Sequence, residues 1–219
     1  MRKIALILTV LCLQPWSPLS EAKTAQDIHF TRISIESGLS QSTIFSVAQD
    51  GAGNIWFATY DGVNKYDGYE FTVYHHAFDD SRSIADDVAR VLCADRSGRI
   101  WVGTTSGLSM YDEDMDSFMN YFYKGDCKAV NVLYPLSDTF LMVGFQDRMT
   151  VFDMEKCTFR DDILPVSMMP MMATSCTESD GKLYIGTESG EIFIYEPDDN
   201  VTYPVLNFSS GGGIGYRLC

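Results

Sequence analysis

Three histidines and several runs of carboxylates are the residues of this chain best suited to metal binding or acid–base chemistry. The histidines are His29, His75 and His76, and the adjacent pair is predicted at the end of a strand, where neighbouring side chains point to opposite faces. The densest acidic run is Asp-Glu-Asp-Met-Asp at 112–116, whose carboxylates could bind calcium weakly. Surface loops account for both features, so we predict no metal site and no cofactor.

The nucleophilic side chains form no known catalytic pattern. Ser, His and carboxylate residues are present, but the sequence contains no G-x-S-x-G, H-E-x-x-H or P-loop motif that would place them together. Cys93 and Cys176 fall in apolar, strand-like runs and are interpreted as buried small hydrophobes. The methionines on either side of Pro170 are interpreted as an irregular apolar strand and not as a metal-binding cluster. We therefore predict that this chain is not an enzyme.

Composition and charge exclude several classes of partner. The chain has 219 residues, of which 46% are apolar, enough for a packed core in one domain or in two small ones. Its formal net charge of −14 argues against nucleic-acid binding, which needs clustered Lys and Arg, and against docking on an anionic membrane. Aromatic residues at 13% and 17 glycines favour many short strands joined by tight turns.

The first 22 residues have the pattern of a secretory signal peptide. Arg2 and Lys3 are followed by an apolar stretch at 4–13 that is too short to span a bilayer, and small residues precede a cleavage position near Ala22. The alternative is an N-terminal membrane anchor. A signal peptide at 1–22 predicts a periplasmic or otherwise extracytoplasmic protein, with no membrane contact by the segment that follows it.

An internal repeat is the most informative feature of the sequence. Residues 50–67 and 95–112 share the pattern D-x-x-G-x-I-W-x-x-T-x-x-G-x-x-x-Y-D, with eight of eighteen positions identical at a shift of 45 residues. Two weaker copies lie at 138–153 and 180–196, where Met142 and Tyr184 occupy the tryptophan position. A period of this length predicts a modular fold built from one supersecondary unit per copy.

Each copy is predicted to form four short strands. The second strand is apolar on both faces, as in 55–58 and 100–102, whereas a strand with one solvated face would alternate. Such a sheet has to pack between two neighbours, and four strands in about 40–45 residues are typical of a β-propeller blade. We therefore predict an all-β fold, a β-propeller of about four blades of four-stranded antiparallel sheet, with Trp56 and Trp101 in its core. The predicted blades are 43–76, 88–123, 129–161 and 170–206, and the predicted strands of the first two are Thr43–Gln49, Ile55–Thr59, Val63–Tyr66, Phe71–Tyr74, Val88–Ala94, Ile100–Thr104, Leu108–Tyr111 and Phe118–Tyr123.

The shared pattern, preceded by Gly38-Leu39-Ser40-Gln41, resembles the two-component regulator propeller repeat. The resemblance covers roughly residues 28–206 and is strongest in the first two copies, moderate in the fourth and poor in the third. It implies the N-terminal periplasmic sensor region of a hybrid two-component system histidine kinase, a class common in gut Bacteroidetes. In that family two propellers precede a β-sandwich, a membrane helix and the kinase, and the sensor typically recognises oligosaccharides.

Propellers of that family usually have about seven blades. The resemblance therefore implies that the four predicted blades are part of a larger ring and that the chain is a truncated product. The partners it implies are the remaining propeller blades or a second copy of the chain. A lead-in at 23–42 contains Ile28–Ile35, a candidate ring-closing strand, and the partial propeller is predicted at 43–219. A closed four-bladed ring is the alternative.

The loops between the second and third strands are the candidate binding residues, because a propeller usually binds ligands on the face where these loops meet. Aromatic rings beside carboxylates and amides suit carbohydrate recognition, since rings stack on apolar sugar faces while polar groups pair with hydroxyls. Ordinary polar loop composition is the alternative. The candidates are Tyr60, Asp61, Thr105, Ser106, Phe145, Gln146, Asp147, Glu188 and Ser189.

Three functional hypotheses follow from the sequence. The first is a noncatalytic extracytoplasmic sensor module with an oligosaccharide ligand. The second is an exported propeller enzyme, either quinoprotein-like or a polysaccharide lyase, because the fourth copy faintly resembles quinoprotein repeats. The third is a protein-interaction scaffold, against which predicted export and the lack of a clear WD signature both count.

Overall fold

The structure, a computed structural model, describes residue 30 and residues 32–207 of the chain. Within these described residues, sixteen strands form four sheets, each antiparallel, four-stranded and ordered as in the sequence, which confirms the predicted all-β propeller architecture. A 3-10 turn at Ile35–Ser37 precedes the first sheet. Among the described residues, no helix has the length and apolar character needed to cross a membrane.

The four sheets follow the four sequence copies. Blade 1 contains β1 (Ile44–Gln49), β2 (Ile55–Thr59), β3 (Val63–Tyr66) and β4 (Phe71–Tyr74). Blade 2 contains β5 (Ala89–Ala94), β6 (Ile100–Thr104), β7 (Leu108–Asp112) and β8 (Ser117–Tyr121). Blade 3 contains β9 (Val130–Pro135), β10 (Phe140–Phe145), β11 (Met149–Asp153) and β12 (Thr158–Arg160). Blade 4 contains β13 (Ala173–Ser179), β14 (Lys182–Thr187), β15 (Glu191–Glu196) and β16 (Val201–Asn207).

The predicted strands of blades 1 and 2 agree with the structure to within two residues at each end. The largest difference is at the end of β8, which was predicted to reach Tyr123 and ends at Tyr121. Tyr123 instead pairs with Asp126 across a tight turn, so the backbone has already left the sheet at this point.

Two predictions concern the segment before blade 1. The signal peptide at 1–22 lies outside the described residues and stays a prediction, as do residues 28, 29 and 31 of the candidate ring-closing strand. The described residues of that candidate, 30 and 32–35, belong to no strand, and Ile35 opens the 3-10 turn. Its ring-closing role therefore stays a prediction.

Successive blades bury apolar faces against each other. Trp56 packs with Ile100 and Val102 between blades 1 and 2, and Trp101 packs with Phe152 between blades 2 and 3. A third cluster, between blades 3 and 4, includes Met142, Met149, Leu183 and Ile185. Both tryptophans are fully buried, which confirms their assignment to the core.

The small residue that recurs after the tryptophan position permits this close packing. A Cβ atom at Gly103 would lie 2.5 Å from a methyl carbon of Val91 and 2.6 Å from one of Val130. Those distances are shorter than van der Waals contact, so only glycine fits there without movement of a neighbouring strand.

The Asp-x-x-Gly-x-Ile-Trp motif is explained by hydrogen bonds within its own turn. The indole Nε1 of Trp101 donates to Asp95 Oδ2 at 3.0 Å, and the equivalent bond from Trp56 to Asp50 is 2.8 Å. The other carboxylate oxygen of Asp95 accepts from the backbone N–H groups of Ser97 and Arg99, which closes the β5–β6 turn. One aspartate therefore both shapes the turn and satisfies a buried indole.

The same hydrogen bonds decide the ionisation of Asp95. Burial alone would raise the pKa of this carboxyl, but the bonds from Ser97, Trp101 and Arg99 to the charged form outweigh it and hold the pKa below its usual value. The carboxylate is therefore charged at neutral pH and is held by donors on both oxygens.

The two glycine turns of adjacent blades touch directly. The N–H of Gly51 donates to the carbonyl of Gly98 at 3.0 Å. Gly98 has a φ of +86°, and a Cβ atom built on it would lie 2.5 Å from the Cα of Gly51. Both the backbone conformation and the contact therefore require glycine at this position.

Replacing Asp95 by alanine leaves the buried indole N–H of Trp101 without its acceptor. We expect the free energy of unfolding to fall by about 2–3 kcal/mol, measured by urea denaturation followed by tryptophan fluorescence. Asp138→Ala is the matched control, because Asp138 is exposed and makes one long ion pair with Arg96. If both variants lose the same free energy of unfolding, the hydrogen bond from Trp101 to Asp95 does not stabilise the fold as we expect.

The lowered pKa of Asp95 also predicts a pH dependence. The stabilisation is complete above the ordinary pKa of an unfolded aspartate and is lost as the pH falls through the lower pKa of the folded state. Between about pH 5 and pH 3 we expect the free energy of unfolding to fall less steeply in Asp95→Asn than in the unmodified chain. Parallel curves for the two proteins would refute this assignment.

A comparison of Gly98→Ala with Gly68→Ala separates the cost of the steric clash between the turns from the cost of backbone strain. Both glycines have positive φ, but nothing lies within 4 Å of a Cβ atom at Gly68. We expect Gly98→Ala to lose about 1–3 kcal/mol more stability than Gly68→Ala in the same urea titration. If the two substitutions cost the same, the contact between the turns of blades 1 and 2 does not constrain the fold.

Candidate functional site

A cavity of about 420 Å³ opens at the end of the sheets where the β2–β3 loop and its equivalents in the other blades emerge. All four blades contribute to its lining. The lining residues are Phe45, Tyr60, Arg90, Asn131, Gln146, Thr174 and Glu188. Its volume lies within the usual range of small-molecule binding sites.

Four of the lining residues occupy β-bulges at equivalent positions of the innermost strands. In β1 the register passes from Ile44 to Ser46 and leaves Phe45 as the extra residue. The same shift in β5, β9 and β13 leaves out Arg90, Asn131 and Thr174. A bulge re-aims the side chain of the extra residue, so each blade directs one variable residue toward the cavity.

A small residue of the repeat lies directly across from each bulge. Ala58, Gly103, Gly144 and Gly186 pair with the residue that follows the extra one. This positional link between a recurring small residue and an inner-strand bulge is the sequence signal that could have identified the four bulge residues. Sequence reasoning missed them because their side chains have no chemistry in common.

The chemistry of the cavity changes from blade to blade. In blade 1 the rings of Phe45 and Tyr60 meet edge to face, with centroids 4.5 Å apart and planes at 75°. In blades 2 and 3 the Arg90 guanidinium donates through Nη1 to Asn131 Oδ1 at 2.6 Å. Gln146 adds an amide, and blade 4 supplies the hydroxyl of Thr174 and the carboxylate of Glu188.

Three of the nine loop residues predicted from the sequence line this cavity, namely Tyr60, Gln146 and Glu188. The structure places three others in contacts outside it. Asp61 lies 3.6 Å from His75 Nδ1, and the Ser106 hydroxyl donates to Asp86 Oδ2 at 2.6 Å. The backbone N–H of Thr105 donates to the carbonyl of Val88, which ties this loop to the start of β5.

The remaining three predicted residues also have other surroundings. Phe145 is buried in the core between blades 2 and 3, because this loop begins one residue later than the sequence pattern predicts. Asp147 accepts a hydrogen bond from Lys128, which lowers the pKa of this carboxyl. Ser189 bonds with Thr187 and Glu191 inside its own turn. Their role in ligand binding stays a prediction.

The other candidate chemical groups have structural partners. His75 Nδ1 lies 3.6 Å from Asp87, and His76 Nδ1 lies 2.8 Å from the carbonyl of Ile84. Burial raises the pKa of the Cys93 and Cys176 thiols to about 12, which keeps both protonated and unreactive. Within the described residues no three His, Cys, Asp or Glu side chains are grouped as a metal site needs, and His29 lies outside them.

A larger cavity of about 570 Å³ lies at the opposite end of blades 1 and 2 and includes part of the acidic run. Several of its polar groups are already used by the turns that surround it. Asp50 holds the β1–β2 turn, and Asp112 Oδ1 accepts from the N–H groups of Asp114 and Met115. The smaller cavity, whose lining residues vary from blade to blade, is therefore the better candidate binding site.

Comparison with known proteins agrees with this architecture. Residues 38–61 and 83–106 match the family model described as the two component regulator propeller. Each match begins one residue before a buried residue that precedes a blade, Leu39 or Ile84, and ends in the loop between the second and third strands of that blade. The structure thus gives each matched segment the same position in successive blades.

Three similar proteins illustrate the range of relatives. Histidine kinase P4 of Formosa agariphila is 46% identical over 48 residues, which are 22% of this chain and 4% of that protein. The extracellular domain of a putative hybrid two component system from Bacteroides thetaiotaomicron is 28% identical with a TM-score of 0.67, over 80% of this chain and 26% of that one. Virginiamycin B lyase from Staphylococcus aureus, 11% identical with a TM-score of 0.57 over 76% of this chain and 56% of that one, shares the fold alone.

This chain therefore spans only a small part of the two signalling relatives that it matches. The family model and the structural match both point to the same class, and the third protein shows that the fold also occurs in an enzyme. Two segments of the chain, residues 38–61 and 83–106, are thus similar to the two-component regulator propeller repeat, and they occupy equivalent positions in blades 1 and 2.

Proposed function

We propose that this propeller segment is the extracytoplasmic ligand-sensing module of a hybrid two-component histidine kinase, and that its four-blade cavity binds an oligosaccharide. The observation that carries the proposal is the convergence of four bulge residues and three loop residues in one cavity. The similarity to an extracellular domain of a hybrid two component system supports a sensing role.

The lining of the cavity suits a sugar. The Phe45–Tyr60 pair offers an aromatic surface on which the apolar face of a pyranose ring can stack. Asn131 and Gln146 can each donate and accept hydrogen bonds, while Glu188 can accept them from hydroxyl groups. Tyr60 is about half exposed, so its ring is available to a ligand.

A noncatalytic role fits the same geometry better than an exported enzyme does. Glycosidases use a pair of carboxyl groups on either side of the scissile bond, whereas Glu188 is the single carboxylate among the described lining residues. The similarity to virginiamycin B lyase concerns the fold alone. The enzyme and scaffold hypotheses therefore rest on fold likeness without a corresponding site.

The proposal includes partners and location. The outer face of blade 1 exposes Val47 at 55%, whereas Leu92, the equivalent residue of blade 2, is covered by blade 1 and is 7% exposed. We propose that a further blade, or a blade of a second copy, covers this face. Export by the predicted signal peptide at 1–22 would place the module in the periplasm, without nucleic-acid or membrane contacts of its own.

Binding to an array of neutral and acidic oligosaccharides, followed by calorimetry with the saccharides that bind, tests the proposal. We expect Tyr60→Ala to weaken binding about tenfold or more, because the stacking surface is lost. Tyr69→Ala is the matched control, since Tyr69 is exposed on the β3–β4 hairpin at the other end of blade 1. The proposal is wrong if no saccharide binds, or if Tyr60→Ala and Tyr69→Ala change the affinity for a saccharide by the same factor.

A further inference from the structure

The one cationic side chain among the described lining residues of the cavity is Arg90. It is the bulge residue of β5, and its side chain is exposed. The hydrogen bond to Asn131 Oδ1 uses one of the five N–H donors of the guanidinium group. The remaining donors are free to meet a ligand, and the bond to Asn131 limits the orientations of the guanidinium.

Arg90 also lacks the ion pair that most other described arginines have. Arg96, Arg99, Arg148 and Arg160 each pair with an aspartate. Within the described part of the chain, no carboxylate lies within ion-pair distance of Arg90, although the formal net charge of the whole chain is −14. An unpaired guanidinium in a cavity of a strongly acidic protein is a local site for an anion.

The order of the blades places this guanidinium beside the aromatic pair. Phe45 and Tyr60 belong to blade 1, Arg90 belongs to the adjacent blade 2, and β1 packs along β5. Glu188 belongs to blade 4, on the far side of blade 3, and its carboxylate disfavours a negative group at that end. A ring stacked on blade 1 would therefore direct an acidic substituent toward Arg90 and neutral hydroxyls toward Glu188.

We propose that the ligand of this cavity is an acidic saccharide whose carboxylate or sulfate group binds to the Arg90 guanidinium. This inference rests on the proposed function and names the charge class of its ligand. The planar fork of a guanidinium can donate two parallel hydrogen bonds to either group, which lysine cannot reproduce. Arg90 is thus the residue that distinguishes acidic from neutral sugars.

The test compares matched pairs of probes by calorimetry. Digalacturonic acid is compared with its carboxyl-reduced counterpart, and a sulfated galactose disaccharide with its desulfated form, so that the two sources of the anion are separated. For at least one pair we expect the acidic member to bind about tenfold or more tightly than the neutral one. Arg90→Gln should abolish that difference, and added salt should weaken only the acidic probe.

Arg96→Gln is the matched control, because Arg96 is an exposed arginine of the same blade outside the cavity. We expect Arg96→Gln to leave the affinity for both members of each probe pair unchanged. Circular dichroism and urea denaturation of each variant show whether the fold is retained.

Several outcomes would overturn the inference while leaving the proposed function intact. In the first, the neutral probes bind with the same affinity as the acidic ones. In the second, neutral members of the array bind and no acidic member does. In the third, Arg90→Gln lowers the affinity for acidic and neutral probes equally. The last result would make Arg90 a brace between blades 2 and 3 through Asn131. If no saccharide of either class binds, the proposed function fails together with the inference.

Discussion

An indole buried between two β-sheets has to find an acceptor for its N–H group, and this requirement shapes the first two blades. Trp56 and Trp101 fill the space between successive sheets, and both side chains are fully buried. Each indole donates to the aspartate at the start of the turn that precedes its own strand, the β1–β2 turn or the β5–β6 turn. Because that aspartate also binds the backbone of the turn, packing between blades and turn geometry within a blade depend on one side chain. The blade thus becomes a unit that can be repeated with only a few positions held constant.

Because one side chain serves both the turn and the packing between blades, much of the fold could be predicted from the sequence. The aspartate, tryptophan and threonine of the motif each have a local partner within a few residues, such as the Thr104 hydroxyl that donates to the carbonyl of Gly107 across the β6–β7 turn. Local interactions leave a pattern in the sequence that recurs with the repeat. The site was harder to predict, since the bulge residues Phe45, Arg90, Asn131 and Thr174 share a position but no residue type. Phe145 shows the opposite failure, because one shifted residue in β10 turns a predicted loop position into core.

The division between constant and variable positions has a functional consequence. Constant residues lie in the turns and between the sheets, where they hold the blades in register. Variable residues lie at the bulges, where the backbone is already out of the ladder and a change of side chain disturbs no cross-strand pair. A binding cavity at these positions can therefore change its chemistry without altering the packing on which the fold depends.

A cavity lined by four blades also differs from a site on a single loop in what binding can do. A ligand that contacts Tyr60 in blade 1 and Glu188 in blade 4 is sensitive to the relative positions of all the blades between them. Its affinity then depends on the curvature of the array, and by linkage the ligand favours the curvature that binds it best. Blades 2 and 3 are joined by close packing of Gly103 against Val130, and close-packed interiors transmit strain, so a shift at the cavity would be passed on toward the outer strands.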